Sequence, residues 1–132
     1  VTTGWALIDK RTRSLLGCGN LESDDVGAAL DQIIRLYQHM GFKVNAVVEK
    51  MPTPPGGELA LELEYVRRTI YHWLFEVFEV PTEYVLPGTW KTSRTAATIT
   101  LPTEWDGKAL TTHQRDAVTL GHYIIARERF AR

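Results

Sequence analysis

Val44-Asn45-Ala46-Val47-Val48-Glu49 decides the fold class. Its near-continuous apolar character is that of a strand covered on both faces, as in a parallel sheet, and it closes on a carboxylate. Working upstream, Val26, Ala29, Leu30, Ile33, Ile34, Tyr37 and Met40 recur at helix spacing. Asp24 or Asp25 caps that helix, and Gly41 ends it. Nearer the start, Trp5-Ala6-Leu7-Ile8-Asp9 reads as a strand and Lys10-Arg11-Thr12-Arg13 as a polar turn. Ser14 to Leu21 then returns as the hairpin partner.

Downstream, the run from Met51 through Pro52, Thr53, Pro54 and Pro55 to Gly56-Gly57 neither continues a strand nor forms a helix. A second helix spans Glu58 to Phe78, with apolar positions at Leu59, Leu63, Val66, Ile70, Trp73, Leu74 and Val77. Tyr84-Val85-Leu86 is a short strand halted by Pro87-Gly88. Thr89 to Thr111 is polar and poorly periodic, a long loop or a short helix plus loop, with a turn at Trp105-Asp106-Gly107. A closing helix runs from Thr112 to Arg129. The order hairpin, helix, strand, helix, strand, loop, helix predicts an α/β fold: a mixed sheet with helices on both faces. Sites in such sheets form at the carboxyl ends of strands, where Glu49 stands.

With 132 residues, 44% hydrophobic and 23% charged, the chain has the composition of an ordinary globular domain. No apolar run reaches the length of a membrane span, and no signal-peptide profile opens the chain. The single cysteine, Cys18, excludes an internal disulfide and a multi-cysteine zinc site, and it sits among apolar strand residues as a plain thiol. The compartment expected by default is intracellular. The net charge of −1 hides an asymmetry: from Gly88 onward seven Lys/Arg face four Asp/Glu, leaving −4 on the remainder. That imbalance permits a phosphate-bearing partner without demanding one.

Chemistry is concentrated in Thr112-His113-Gln114-Arg115-Asp116-Ala117, which opens the last helix. His113 and Asp116, three residues apart, project from one helix face. Phosphodiester hydrolysis by two metal ions needs carboxylates, sometimes with a histidine, converging from separate elements on ions about 3.5–4 Å apart. A strand-end Glu49 with His113 and Asp116 on a helix has that form. Singly, Glu49 reads equally as a solvated strand-end acid, Asp116 as a helix-start acid favoured by the dipole, and His113 as a surface or capping histidine. Gly56-Gly57 lacks the Gly-Lys-Ser/Thr sequel of a phosphate loop. His39, His72 and His122 have no partner at ligand spacing. Tyr65, Tyr71, Trp73, Phe75 and Phe78 fall at helix spacing and read as a core or a dimer face.

Four segments, in this order, resemble the RuvC-like Holliday junction resolvases of the ribonuclease H-like superfamily. They are Thr3-Gly4-Trp5-Ala6-Leu7-Ile8, Val47-Val48-Glu49-Lys50, Leu86-Pro87-Gly88-Thr89-Trp90-Lys91 and His113-Gln114-Arg115-Asp116-Ala117. The resemblance implies a single nuclease domain over residues 1–132, built on a ribonuclease H-like mixed five-stranded sheet flanked by helices. It places the family's leading strand and its aspartate ahead of Val1, so the form beginning at Val1 is expected to be inert. It implies a metal-dependent, structure-selective endonuclease that resolves four-way or other branched DNA by hydrolysis, using two Mg²⁺ or Mn²⁺ ions per site. Glu49, Asp116 and His113 would be the ligands, with His113 alternatively shuttling a proton. Lys91 would steady the phosphate, and Thr3, Trp90, Arg94 and Arg115 would line the DNA path. A homodimer in the cytoplasm, with no membrane and no small-molecule cofactor, completes the expectation.

Two features depart from the family pattern. The stretch between Lys91 and Asp116 is shorter, leaving Arg94 or Lys108 to supply a second charge. Met51-Pro52-Thr53 stands where an aromatic often follows the second acid. The rival readings are a catalytically inactive nucleic-acid-binding module of the same fold and a nucleotide-binding domain of the actin-like ATPases. The latter requires a second domain and a later glycine pair.

Overall fold

A computed structural model describes residues 2–22, 24–50 and 56–130. Of the run Met51 to Gly57, expected to be neither strand nor helix, Met51 to Pro55 lie outside the described residues, while Gly56 caps the next helix and Gly57 opens it. The fold is mixed α/β, with strands β1 (Thr2–Ile8), β2 (Leu15–Glu22), β3 (Ala46–Glu49) and β4 (Thr82–Val85). Between and after them come helices α1 (Val26–His39) and α2 (Gly57–Tyr71), single helical turns α3 (Pro87–Trp90) and α4 (Arg94–Ala97), and the long α5 (Thr112–Phe130). Two short strands, β5 (Glu104–Trp105) and β6 (Lys108–Ala109), precede α5. No helix among the described residues is long and apolar enough to cross a membrane.

The expected five-stranded sheet is not formed by the described residues: strands pair only in twos, β1 with β2, β3 with β4, and β5 with β6. Contacts gather into two compact units. One comprises Leu21–Tyr84; the other comprises Thr2–Asn20 with Val85–Arg132.

In the Leu21–Tyr84 unit, α1 ends as its sequence predicts. Gly41 takes a φ of +89°, its N–H donates to the Gln38 carbonyl, and Phe42 N–H donates to the Tyr37 carbonyl, both at 3.0 Å. The Tyr37 and Phe42 rings meet at 6.0 Å, completing the apolar clasp that accompanies this helix ending. At the other end Asp25 holds the cap position, but its side chain accepts no capping hydrogen bond. The strand–helix–strand crossover is also as expected. Ala46 N–H, opening β3, donates at 2.8 Å to the carbonyl of Pro81, just before β4, so the paired strands start together and run parallel.

The second long helix departs from the even spacing expected. After Tyr71 it widens into a π-helical segment, His72–Val77, and Phe78 N–H reaches back five residues to the Trp73 carbonyl. The wide turn carries Trp73 against Gly27 of α1, where a β-carbon would collide with the indole. Phe78 lies 5.8 Å from the Trp73 ring and under the Arg35 guanidinium, and its carbonyl accepts from Gln38. Val26, Ile34, Val66, Ile70, Leu74 and Val80 are buried around this junction.

In the second unit, β1 lies along α5. A β-carbon on Gly4 would overlap the carbonyl of His113, at the start of α5. One on Gly121 would meet Ile8 Cδ1 at 2.5 Å, and Lys10, just past β1, pairs with Glu128 at 2.8 Å. Strand and helix therefore advance in the same direction, with glycine where the backbones approach most closely. Val118, Leu120, Ile124 and Ile125 bury the inner side of α5, with Val85 and Trp90 also in the core. Cys18 on β2 is half-buried, which pushes its thiol pKa up and keeps it in the unreactive protonated form.

Candidate functional site

The start of α5 is fixed by a reciprocal cap. Thr111 Oγ1 accepts from Gln114 N–H at 3.2 Å, and Gln114 Oε1 accepts from Thr111 N–H at 3.0 Å. This is the Thr-x-x-Gln capping box, whose signal stands in the sequence as Thr111-Thr112-His113-Gln114. The Thr111 hydroxyl also lies 3.4 Å from Asn20 Oδ1, so the cap is tied to β2. With the cap and Gly4 holding the first turn from two sides, His113 and Asp116 are presented from a defined backbone.

His113 is exposed and Asp116 half-exposed. Asp116 lies beyond the first turn, so it is more than a dipole-favoured helix-start acid; its charge partner is Lys91, whose Nζ stands 3.6 Å from Oδ2. Both side chains remain accessible, at 39% and 44%, so the pair is open to exchange with a phosphate or a cation rather than a locked structural bridge.

Lys91 owes its place to Trp90. Pro87 starts α3, and Lys91 N–H closes the turn on the Pro87 carbonyl at 3.0 Å. Trp90 is 2% exposed, with the Lys91 ammonium 5.5 Å from its ring. This corrects the expectation that Trp90 lines a DNA path: its ring is core and offers no face to a base. Its role is to anchor the turn that projects Lys91.

Arg94 opens α4, capped by Ser93 Oγ accepting from Ala96 N–H at 3.0 Å, and is exposed. Arg115 is exposed on the first turn of α5, while Thr3 is half-buried on β1. Lys108 is exposed on the β5–β6 hairpin, whose Asp106-Gly107 turn takes positive φ at both positions, the geometry that matches hairpin twist. The unit containing these residues carries ten Lys/Arg against five Asp/Glu, and the Leu21–Tyr84 unit carries five against eleven. The charge asymmetry visible in the sequence is thus sharper in three dimensions, because the basic hairpin turn at Lys10-Arg11-Thr12-Arg13 joins the basic C-terminal half.

Glu49 ends β3, as expected, in the Leu21–Tyr84 unit, with Oε2 shielded from solvent. Within the second unit the structure brings together Lys91 and Asp116, with His113 one turn before Asp116. No group of three or more His, Cys, Asp or Glu side chains among the described residues forms a metal-binding cluster. Elsewhere, His72 Nδ1 pairs with Glu76 Oε2 at 2.8 Å on the surface, and half-buried His122 has its pKa lowered by desolvation. No family model, curated protein or solved structure matches the chain.

Proposed function

We propose that this protein is a metal-dependent, structure-selective DNA endonuclease of the RuvC type, acting on four-way or other branched junctions. The observation that supports the reading best is the grouping at the start of α5: Asp116 in an open ion pair with Lys91, and exposed His113 one turn away, on a unit with a strong excess of positive charge. In this reading Lys91, Arg94 and Arg115 bind and orient the phosphate backbone. The Lys91 ammonium exchanges its carboxylate for a phosphate oxygen when DNA arrives. His113 takes or returns a proton at its imidazole.

The resemblance assigns Mg²⁺ or Mn²⁺ to Glu49, Asp116 and His113, and such ions supply charge neutralisation and an activated water. A carboxylate suits Mg²⁺ and Mn²⁺ alike and an imidazole suits Mn²⁺ the better of the two, but two donors fall short of the coordination either ion takes. The second unit therefore does not by itself fit the metal pair. The reading requires Glu49 and a further carboxylate as co-ligands, on a ribonuclease H-like five-stranded sheet. A homodimer through the aromatic face of the second long helix belongs to the same proposal; of Tyr71, Phe75 and Phe78, the first two are exposed and Phe78 instead packs on Trp73.

The second reading is a nucleic-acid-binding module of the same fold without catalysis, which the cationic surface of the second unit would also serve. Incubating full-length protein with a four-way junction and Mn²⁺ separates the two. Paired nicks support the nuclease; binding without cutting supports the module.

A further inference from the structure

The turn between β1 and β2 is the most cationic segment of the surface that the proposed chemistry does not use. Lys10, Arg11, Thr12 and Arg13 are all exposed. The nearby carboxylate of Asp9 is turned into the loop: Oδ1 accepts from Arg11 N–H at 2.8 Å and Thr12 N–H at 3.2 Å. Those backbone bonds, with the Arg11 charge as a smaller contribution, hold the Asp9 carboxyl below the ordinary range. Asp9 therefore stays charged, with Oδ1 committed to shaping the turn. Arg13 N–H closes the loop on the Asp9 carbonyl at 2.7 Å, and Arg13 takes a φ of +63°. That left-handed position ordinarily favours glycine or asparagine, so local backbone preference does not account for an arginine there.

Lys10 is neutralised by Glu128, near the end of α5, so the turn keeps two exposed guanidiniums, Arg11 and Arg13, against the single carboxylate of Asp9, a net of one positive charge. Glu128 lies fifteen residues beyond His113 on the same helix, about 22 Å along its axis at 1.5 Å per residue. The hairpin turn is thus at the opposite end of α5 from His113. A duplex rises about 3.4 Å per base pair, so that separation spans roughly six base pairs.

We propose that Arg11 and Arg13 form a second phosphate-binding surface for duplex nucleic acid, distant from α5's start and contacting the flank of the bound substrate rather than its reacting phosphate. The proposal rests on the nucleic-acid part of the function proposed above and not on its chemistry. Two exposed guanidiniums on a turn rigidified by Asp9 suit a sequence-independent backbone contact.

The test is the salt dependence of binding, by fluorescence anisotropy, of a 30-base-pair duplex to full-length protein without divalent metal. Each lost phosphate contact lowers the magnitude of the log K against log salt slope by about 0.9. Arg11→Ala with Arg13→Ala should therefore weaken binding and reduce the slope by about 1.8, with an unchanged circular dichroism spectrum. Arg11→Lys with Arg13→Lys should retain most of both. An unchanged slope in the alanine variant, or no duplex binding by the parent, overturns the proposal. So does arginine-dependent binding to phosphatidylserine vesicles in place of DNA, which would make this a membrane-facing surface. Failure of the nuclease reading shows separately, as intact duplex binding with no junction cleavage.

Discussion

Gly4→Ala is the perturbation that most sharply probes how the candidate site is built. The added methyl group would overlap the His113 carbonyl and come within 2.8 Å of the Gln114 amide nitrogen. Both are main-chain atoms of a capped helix, so no rotamer change relieves the clash. Either β1 lifts from α5 or the first turn of α5 unwinds, breaking the Thr111–Gln114 box. Overpacking of this kind costs about 1–3 kcal/mol, and losing an N-cap about 1 kcal/mol more. At about 2.1 cal/mol/K per residue, a loss of about 3 kcal/mol lowers Tm by roughly 10 °C in a chain of this length. Gly88→Ala is the control, since its β-carbon meets nothing within 4 Å. Gly121→Ala should fall between, because what it strikes is the mobile end of Ile8. Thermal unfolding followed by circular dichroism ranks the three. A Gly4→Ala protein as stable as Gly88→Ala would refute the close strand–helix approach and the positioning of His113 derived from it.

Tyr71 and Phe75 stack at 5.1 Å while 44% and 58% exposed, so Tyr71→Ser with Phe75→Ser should turn a dimer into a monomer in light scattering at about tens of micromolar. A parent that is already monomeric there would remove the dimer from the account. Burial lowers the His122 pKa, so the unfolded chain takes up its proton first as pH falls through about 6.5. The contribution of neutral His122 is present above that pH and lost below it; His122→Gln should lose less Tm than the parent between about pH 7.5 and 5.5. An imidazole in the proposed ligand set would make Mn²⁺ comparatively better than Mg²⁺, so Mn²⁺ should support cleavage at lower concentration. His113→Asp should retain activity while narrowing that difference, as a metal titration of cutting rate would record.

What the sequence made legible was whatever is written locally. Gly41 predicts the end of α1 because a glycine there accepts the left-handed conformation the helix ending needs. The apolar run before Glu49 marks the strand β3, although its residues are half-buried rather than covered on both faces, and His113 with Asp116 shares a face through helix geometry alone. The widening after Tyr71 was not legible, because a single wide turn leaves no period in six residues and is stabilised by Trp73 packing on Gly27. Strand pairing in twos depends on contacts between distant segments, which alternation patterns do not encode. The one-turn helices at Pro87 and Arg94 are too short to show periodicity. At the site, Trp90 beside Lys91 suggested a surface aromatic, whereas tertiary burial makes it an anchor. The Lys91–Asp116 pair joins residues twenty-five apart in sequence and had no local signature. Capping at Thr111 was readable from the Thr-x-x-Gln spacing.

Cleavage of a synthetic four-way junction by full-length protein in Mn²⁺, with Asp116→Asn and a linear duplex of matched sequence alongside, decides whether this protein is a junction endonuclease. The account predicts paired nicks in the junction, an uncut duplex, and an Asp116→Asn protein that binds the junction but leaves it whole. Cleavage by Asp116→Asn at the parental rate, or a parent that binds the junction and never cuts it, would contradict it.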